Sequence, residues 1–523
     1  MYGRWTGVRT NHGTMLARSR FMLVLVVGAL LAVLSLSLQY LHLIPTNPVA
    51  EQRSLGKSRK RVNPVLHTEP PAPDPIRDTH QYCNYPNLTE HGWEGHSPAD
   101  YRLLSVHVMI RHGDRFPLYS IPKTKKPAID CVLSEKRKPS HPLLASFIGH
   151  MALGGRGHWD ASLGSLPRLP NHSTCEMGEL TQTGVVQHLK NGDHLRQAYI
   201  KRHNLLTADW SPRQLWVETT GKSRTLQSGL AFLFGFLPRF DWSRLTVRQQ
   251  WSTLFCGSSC DCPARNRYLD HEQRRQYRQR TADTELERTY VTMAKMLGVA
   301  TKILRAANPV DALLCHFCHG LPFPCSSAKT TSNAPDEGAC LTLQHFAVIR
   351  RQQKDDELER RGAGLYRRYA VLAAHPYLNR TATRMERIAR GSQARKGKEE
   401  AAFALASAHD VTMAPLLSAL GLEGAGFPKF AARLVFELWN GPEAKDRDRK
   451  SDRKRGKGLE NAFIRVLYNG EDLTFDTAFC RGHNRHSAQP LCPLGNFLSF
   501  VRNDMFNIVN ATSYQQACHQ IVL

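Results

Sequence analysis

The chain has 523 residues, of which 41% are hydrophobic, so an extensively disordered chain is excluded and a sizeable globular core is expected. Lysine and arginine outnumber aspartate and glutamate by 70 to 45, which gives a formal net charge of +25. This excess predicts an acidic partner: a phosphate ester, a sulfated polysaccharide, an anionic membrane or nucleic acid. The charge alone does not choose among them.

The N-terminal region predicts a membrane anchor. Residues 21–44 contain no Asp, Glu, Lys or Arg, and a helix of that length would rise about 36 Å, more than the ~30 Å hydrocarbon core requires. We therefore expect a cytosolic tail at 1–20, a transmembrane signal anchor at 21–44 and a Pro-rich lumenal stem at 45–80. A cleaved signal peptide or a buried core helix is the alternative for the apolar segment.

The compartment is predicted from residues that follow the apolar segment. All 13 cysteines lie after it, as do four Asn-x-Ser/Thr sequons, at Asn87, Asn171, Asn379 and Asn510. We expect N-glycosylation at these four residues and a lumenal, oxidising environment. This layout predicts a single-pass type II protein of the Golgi membrane, and it argues against nucleic acid as a partner.

The remaining chain, 81–523, is predicted to be one lumenal α/β body. Three apolar, strand-like runs each end in a polar segment and continue into a helix-like run, beginning near residues 103, 214 and 401. This alternation predicts a doubly wound, mostly parallel sheet, whose ligands bind beyond the carboxyl ends of the strands. Residues 242–400 have helical spacing and predict a mainly helical inserted cap. Charged stretches at 387–400 and 443–458 are expected to be surface loops or a polyanion-binding patch.

Three motifs resemble the histidine acid phosphatases, a branch of the histidine phosphatase superfamily. They are "RHGDRFP" at 111–117, "SRTLQSGLAFLFG" at 223–235 and "SAHDVTMAPLLSALG" at 407–421, and "CEMGELTQTGVVQHLKNGDHLRQAY" at 175–199 extends the match. The resemblance spans roughly residues 101–500. It implies a phosphoric monoester hydrolase that works through a covalent phosphohistidine.

The resemblance also implies roles that agree with the chemistry of the residues. A neutral imidazole can attack phosphorus, so His112 is the expected nucleophile. Asp410 is expected to protonate the leaving oxygen and then activate water. Phosphate oxygens are expected to bind the planar guanidinium groups of Arg111, Arg115 and Arg224. The imidazole of His409 is expected to be a further donor to the phosphate. Gly113 is expected to let the backbone approach the ligand, and the reaction requires no metal or cofactor.

The expected substrate depends on a narrower resemblance. Segments 218–229 and 314–319 are similar to a lumenal branch that removes the 2-phosphate from xylose in the glycosaminoglycan–protein linkage region of proteoglycans. Such an enzyme could act beside a Golgi glycosyltransferase. A broad acid phosphatase or phytase-like enzyme and a catalytically silent polyanion-binding module are the alternatives. Glu218 replaces an arginine found in many family members, which leaves leaving-group specificity open, and Lys222 is either a contact for an acidic group or solvent-exposed.

Two cysteine clusters have two interpretations. "CGSSCDC" at 256–262 and "CHFCHGLPFPC" at 315–325 have metal-ligand spacing, strengthened by His316 and His319. In an oxidising lumen, disulfides are favoured over zinc. Because the number of cysteines is odd, at least one thiol is expected to stay free or to pair between chains.

Overall fold

The computed structural model describes residues 74–86, 92–155, 157–327, 340–391, 400–442, 459–482 and 491–520. The predicted tail, anchor and most of the stem lie outside these residues, as do Asn87 and most of the two charged stretches. Among the described residues, no helix is both long and apolar enough to cross a membrane. Residues 72–523 form one compact unit.

The strands of the described residues join in one sheet. They are β1 Arg102–Arg111, β2 His158–Trp159, β3 Leu215–Thr220, β4 Thr246–Gln250, β5 Phe403–Ala408, β6 Arg433–Asn440, β7 Ala462–Tyr468, β8 Glu471–Asp472 and β9 Cys492–Pro493. Their order is β2-β4-β3-β5-β1-β6-β7-β8, with β9 also paired to β7. The pairs from β2 to β1 are parallel, whereas β6 and β7 add an antiparallel half. The predicted α/β class with a parallel core of strands is confirmed, and the sheet as a whole is mixed.

Helices cover both faces of the sheet. They are α1 Pro75–Cys83, α2 Leu144–Leu153, α3 Gln182–Leu195, α4 Ser223–Phe236, α5 Pro263–Ala282, α6 Thr284–Leu297, α7 Thr301–Ala306, α8 Pro309–Cys318, α9 Leu343–Gly362, α10 Gly364–Ala389, α11 Asp410–Ala419, α12 Leu494–Arg502 and α13 Tyr514–His519. One apolar cluster joins α2, α3 and α4 to the sheet, and another joins α10, α11 and α12 to its opposite face. Alternate residues of β1 enter the two clusters: Val108 and Ile110 the first, Met109 the second.

A third apolar cluster lies within a helical region formed by α1 and α6 to α9. The range 242–400, predicted to be a helical cap, opens with the sheet strand β4 and ends with α10, which packs on the sheet. Helix α1 begins inside the range predicted to be stem, and Asp78 ties it to α9 through ion pairs with Arg350 and Lys354. The cap boundaries remain a prediction.

Twelve of the 13 cysteines form six disulfides, as favoured from the sequence. The pairs are Cys83–Cys318, Cys131–Cys175, Cys256–Cys260, Cys262–Cys518, Cys325–Cys340 and Cys480–Cys492. Cys315 is the free, buried thiol. The zinc interpretation is wrong for the two clusters, because their other cysteines are bonded. The Nδ1 atom of His316 lies 2.7 Å from the Pro322 carbonyl oxygen, and the Nε2 atom of His319 lies 2.7 Å from Asp114.

Candidate active site

Three polar segments meet at one edge of the sheet. Strands β1, β5 and β3 are adjacent and parallel, so their carboxyl ends lie side by side. Arg111 is in register with Ala408, and the backbone N–H of His112 donates to the Ala408 carbonyl over 2.9 Å. "RHGDR", "TTGKSRT" and "HD" therefore converge, although "TTGKSRT" lies roughly 110 positions and "HD" roughly 300 positions after "RHGDR" in the sequence.

His112 is buried and held in one orientation. Its Nδ1 lies 2.9 Å from the Gly113 carbonyl oxygen, which can only accept, so Nδ1 carries the proton and Nε2 keeps a lone pair in the neutral ring. Burial, followed by the positive charges of Arg111 and Arg224, lowers the pKa of His112 well below its usual value. The imidazole is thus an uncharged nucleophile even in acid.

The structure gives a reason for a glycine at position 113 that differs from the expected one. A Cβ atom on Gly113 would lie 2.5 Å from the Cα of Gly184, in the first turns of α3. The glycine is needed so that α3 can pack against the loop after β1. The expectation that it also lets the backbone approach the ligand stays a prediction.

Arg111 is fully buried and fixed on several sides. Its Nη1 donates to the Pro428 carbonyl and its Nη2 to the Tyr82 hydroxyl, each over 2.7 Å. Nη2 also lies 3.0 Å from an Asp410 carboxylate oxygen. The guanidinium carbon lies 4.6 Å from the centre of the Phe430 ring, a cation–π contact.

Arg115 is oriented by a second carboxylate. Its Nη2 lies 2.8 Å from Oδ1 of Asp311, on α8, and its Nη1 lies 3.4 Å from Oδ2. Asp311 also accepts the backbone N–H of Leu118 over 2.7 Å, so it ties the arginine to the loop that follows it. The pair is nearly buried, which makes its geometry well defined.

Arg224 completes the cationic group from the first turn of α4. Burial, and then the charge of Arg115, lowers its pKa to about 10, so it stays charged at neutral pH. The Nε atoms of Arg111, Arg115 and Arg224 are buried and have no hydrogen-bond partner among the described residues. Each guanidinium therefore has one donor that no group of the described residues engages.

His409 lies beside His112, with 5.5 Å between their ring centres. Its Nε2 is 2.9 Å from the Thr220 hydroxyl at the end of β3. Burial and the nearby charge of Arg224 lower its pKa to about 3, so the ring is neutral in the absence of an anion. The expected role of His409 as a further donor to phosphate stays a prediction.

Asp410 is the first residue of α11 and is partly exposed. Burial opposes its charge, but the Arg111 guanidinium and the backbone N–H of Val411 prevail and hold its pKa below the usual value. In this state the carboxyl group is ionised. A role as proton donor requires a change in its surroundings when the substrate binds.

A neutral histidine within a group of three arginines, at the carboxyl edge of a parallel sheet, is the candidate phosphate site. The family model of the histidine phosphatase superfamily, branch 2, matches residues 102–469. This chain belongs to the histidine phosphatase superfamily. It is a phosphatase, because both the family match and the relatives that are named as phosphatases support this activity.

Similar proteins cover almost the whole chain. The protein is 89% identical to "2-phosphoxylose phosphatase 1" of Danio rerio, over 97% of this chain and 100% of the relative. It is 53% identical to the protein of the same name in Homo sapiens, over 97% of this chain and 99% of the relative. A solved structure, the multiple inositol polyphosphate phosphatase of Bifidobacterium longum in its apo form, matches with a TM-score of 0.50 and 13% identity. It covers 82% of this chain and 98% of that chain, and it supports the fold alone.

Sequence reasoning missed several residues of this histidine phosphatase. Tyr82 and Asp311 orient the arginines, and Thr220 contacts His409, yet none lies in the motif that identified its partner. Asp114, within "RHGDR", also had no assigned role. Its carboxylate accepts a hydrogen bond from the Thr181 hydroxyl and lies 2.7 Å from Nε2 of His319. Burial lowers the pKa of His319, but the charge and the hydrogen bond of Asp114 together outweigh this effect and raise the pKa.

Glu218 does not face the phosphate site of the histidine phosphatase. It is buried on β3, where its carboxylate accepts from Gln250 over 2.8 Å and lies 3.4 Å from Arg380 of α10. The replacement of an arginine by Glu218 is therefore accounted for by packing between the sheet and α10. Lys222, the N-cap residue of α4, is exposed.

The remaining predicted sites lie on the surface or within helices. Asn171 and Asn510 are exposed, whereas Asn379 is half-buried within α10 and its sequon partner Thr381 is buried. The exposure of Asn171 and Asn510 agrees with the predicted glycosylation. The half-buried position of Asn379 agrees poorly with glycosylation at that residue. Cys131, Cys175 and Glu179 form a metal-like group in the described chain, but the two cysteines are joined in a disulfide.

Proposed function

We propose that this phosphatase removes the 2-phosphate from xylose in the glycosaminoglycan–protein linkage region of proteoglycans, through a phosphohistidine at His112. One observation carries the mechanism: the Nε2 of His112 keeps its lone pair in a neutral ring surrounded by Arg111, Arg115 and Arg224. Support for the substrate comes from relatives named 2-phosphoxylose phosphatase 1, which are 89% and 53% identical to this chain over nearly their full length.

In the first step, Nε2 of His112 attacks phosphorus while the bond to the xylose oxygen breaks. The three arginines hold the phosphoryl oxygens and stabilise the charge that spreads over them in the transition state. The neutral His409 donates a further hydrogen bond. The Nδ1–H bond to the Gly113 carbonyl keeps the ring aimed as it becomes cationic.

The alkoxide that leaves requires a proton, which Asp410 supplies. In the free enzyme, the bond to Arg111 keeps this carboxyl ionised. A bound phosphate competes for the Arg111 donors and adds negative charge beside Asp410, and both effects raise the pKa of the carboxyl group. Substrate binding thus converts an ion-pair partner into a general acid.

In the second step, water attacks the phosphohistidine, and the phosphorus–nitrogen bond breaks. Asp410, now deprotonated, accepts the proton of this water. Inorganic phosphate leaves, and His112 returns to its neutral form. Asp410 takes up one proton from solvent when the substrate binds and returns one to solvent when phosphate leaves, so each group ends the cycle in its starting state.

The same proposal includes the cellular compartment in which the enzyme acts. Six disulfides and exposed sequons at Asn171 and Asn510 support a lumenal body. We place the enzyme in the Golgi membrane as a type II protein anchored by 21–44, where a glycosyltransferase that extends the same linker could act beside it.

The test uses the full-length protein, purified in detergent, and a 2-phosphoxylosyl linkage glycopeptide. We expect phosphate release by the wild type and by His519→Asn, which changes an exposed histidine in α13. His112→Asn should lose at least about 10³-fold in rate. Comparable turnover of inositol hexakisphosphate and phosphoproteins by the wild type would contradict the proposed specificity and favour a broad acid phosphatase.

A further inference from the structure

Exposed apolar side chains collect around the phosphate site. Twelve large apolar side chains are exposed among the described residues. Four of them lie on segments whose neighbouring residues contact the candidate site. We call these four the apolar rim: Tyr119, Met177, Trp251 and Val411, exposed by 45%, 55%, 83% and 54%. Single exposed apolar residues are ordinary, whereas a group around an active site is typical of a binding surface.

Trp251 is placed at this edge by two contacts of its neighbours. Gln250, the last residue of β4, is in register with Thr220, whose hydroxyl lies 2.9 Å from His409. Two residues after Trp251, the Thr253 carbonyl accepts from the Thr412 hydroxyl in the first turn of α11. The segment that carries the tryptophan thus lies between the ends of β3 and α11.

Tyr119 and Met177 lie on segments that adjoin Arg115 and Arg224. Tyr119 follows Leu118, whose backbone N–H is bound by Asp311, the carboxylate partner of Arg115. Met177 precedes Gly178, where an added Cβ would lie 2.7 Å from the Leu118 side chain and 3.2 Å from Nη1 of Arg224.

Val411 completes the rim, because it directly follows Asp410 on α11. Its backbone N–H donates to the Asp410 carboxylate over 2.8 Å. The group expected to protonate the leaving sugar oxygen is therefore adjacent to an exposed apolar side chain. A leaving group that reaches Asp410 therefore lies next to this side chain.

We propose that the apolar rim binds the sugar rings of the glycan that carries the phosphorylated residue, with Trp251 and Tyr119 as stacking surfaces. This inference rests on the proposed function and names the part of the substrate that confers specificity. One face of a pyranose ring presents C–H groups, and an aromatic ring covers them at a low cost in conformational entropy. The three arginines bind the phosphate, and the rim selects what the phosphate is attached to.

The experiment compares two substrates with the full-length enzyme. One is the 2-phosphoxylosyl linkage tetrasaccharide, and the other is glycerol 3-phosphate, which is too small to reach a rim. For Trp251→Ala and Tyr119→Ala we expect KM for the oligosaccharide to rise about 3- to 10-fold with kcat little changed. For glycerol 3-phosphate, kcat/KM should change less than about 2-fold.

Matched controls are available on the same chain. Trp93 and Tyr277 are also exposed, by 63% and 68%, and neither adjoins the rim. Trp93→Ala and Tyr277→Ala should leave both substrates unaffected. Trp251→Phe retains a ring and should restore most of the oligosaccharide KM, which separates loss of stacking from damage to the fold.

The outcomes are distinct. If the wild type hydrolyses the oligosaccharide and both rim variants match the controls, the inference is overturned while the proposed function stands. If the wild type hydrolyses glycerol 3-phosphate but not the oligosaccharide, the proposed function fails, and the rim inference fails with it. If Trp251→Ala lowers kcat/KM for both substrates and Trp251→Phe does not restore it, the stacking role is also overturned.

Discussion

Nη2 of Arg111 lies 3.0 Å from a carboxylate oxygen of Asp410, so the residue expected to bind phosphate is also the ion-pair partner of the residue expected to donate a proton. Arg111 has no exposed surface, whereas the Asp410 side chain is 26% exposed. The arginine is fixed from behind by Tyr82 and Pro428, and Asp410 is the more accessible partner. An incoming phosphate therefore meets a preformed cation whose counterion it can displace.

The first prediction concerns Asp410→Asn, which keeps the shape of the side chain but cannot supply a proton. Hydrolysis of an alkyl phosphate such as the phosphoxylosyl linker should fall by about 10²- to 10⁴-fold. Hydrolysis of 4-nitrophenyl phosphate, whose leaving group needs little protonation, should fall much less. Equal losses on both substrates in steady-state assays would argue against Asp410 as the proton donor.

The second prediction is a pH profile. Burial and neighbouring arginines lower the pKa of His112 well below its usual range and that of His409 to about 3. Both rings stay neutral until the pH falls below these lowered values, so the nucleophile remains available in acid. Between pH 7 and pH 5, kcat/KM should show no fall that follows histidine protonation, once ionisation of the substrate phosphate is taken into account. A fall centred near pH 6.5, the ordinary histidine value, would contradict the assigned environment.

The third prediction concerns Asp311→Asn. The amide cannot maintain the charged pair with Arg115, so the guanidinium loses its orientation and kcat/KM should fall by about 10- to 100-fold. Asp193→Asn is the matched control, because Asp193 pairs with Arg196 at 3.0 Å on a half-exposed helix face. Such a pair contributes little, so its kinetics should be unchanged. Equal kinetics for both variants would show that Asp311 does not position Arg115.

The fourth prediction is a loss of stability in acid. His107 is buried on β1, where burial and then the charge of Arg384 lower its pKa to about 3. Because the unfolded chain binds the proton near pH 6.5, this residue stabilises the fold above pH 6.5, and that contribution is lost as the pH falls toward 3. The loss reaches about 2–3 kcal/mol at pH 4.5.

Thermal unfolding between pH 7 and pH 4.5 measures this effect. The melting temperature of His107→Phe should fall less with pH than that of the wild type. His519→Phe, at an exposed position of α13, should keep the wild-type pH dependence. Identical pH slopes for His107→Phe and the wild type would exclude His107 as a source of acid sensitivity.

Sequence patterns predicted β1, β3 and β5 because each of these strands ends in a polar segment that a motif marks. The parallel strands β2 and β4 lie outside the motifs and were not predicted. The antiparallel half was not predicted. Strands β6 and β7 are apolar runs that carry no signal of direction, and β7 is buried throughout. Their placement depends on pairing β6 with β1 across more than 300 residues.

At the active site, the motifs identified the groups that would contact phosphate, and their supporting residues remained hidden. Asp311 lies 196 positions from Arg115, and nothing in its local sequence indicates the pairing. Glu218 left the leaving-group specificity open, because the sequence shows only its position beside a motif. Its side chain packs toward α10, an orientation that only the assembled sheet defines.

The most direct test of the central claim is to trap the phosphoenzyme. The wild-type enzyme is mixed with a 2-[32P]phosphoxylosyl glycopeptide and quenched in alkali within one turnover, and the labelled peptide is mapped. Acid-labile, alkali-stable label at His112, absent from His112→Asn, is the predicted result. Full turnover by the wild type with no label at His112 would contradict the account, because water would then attack the substrate directly.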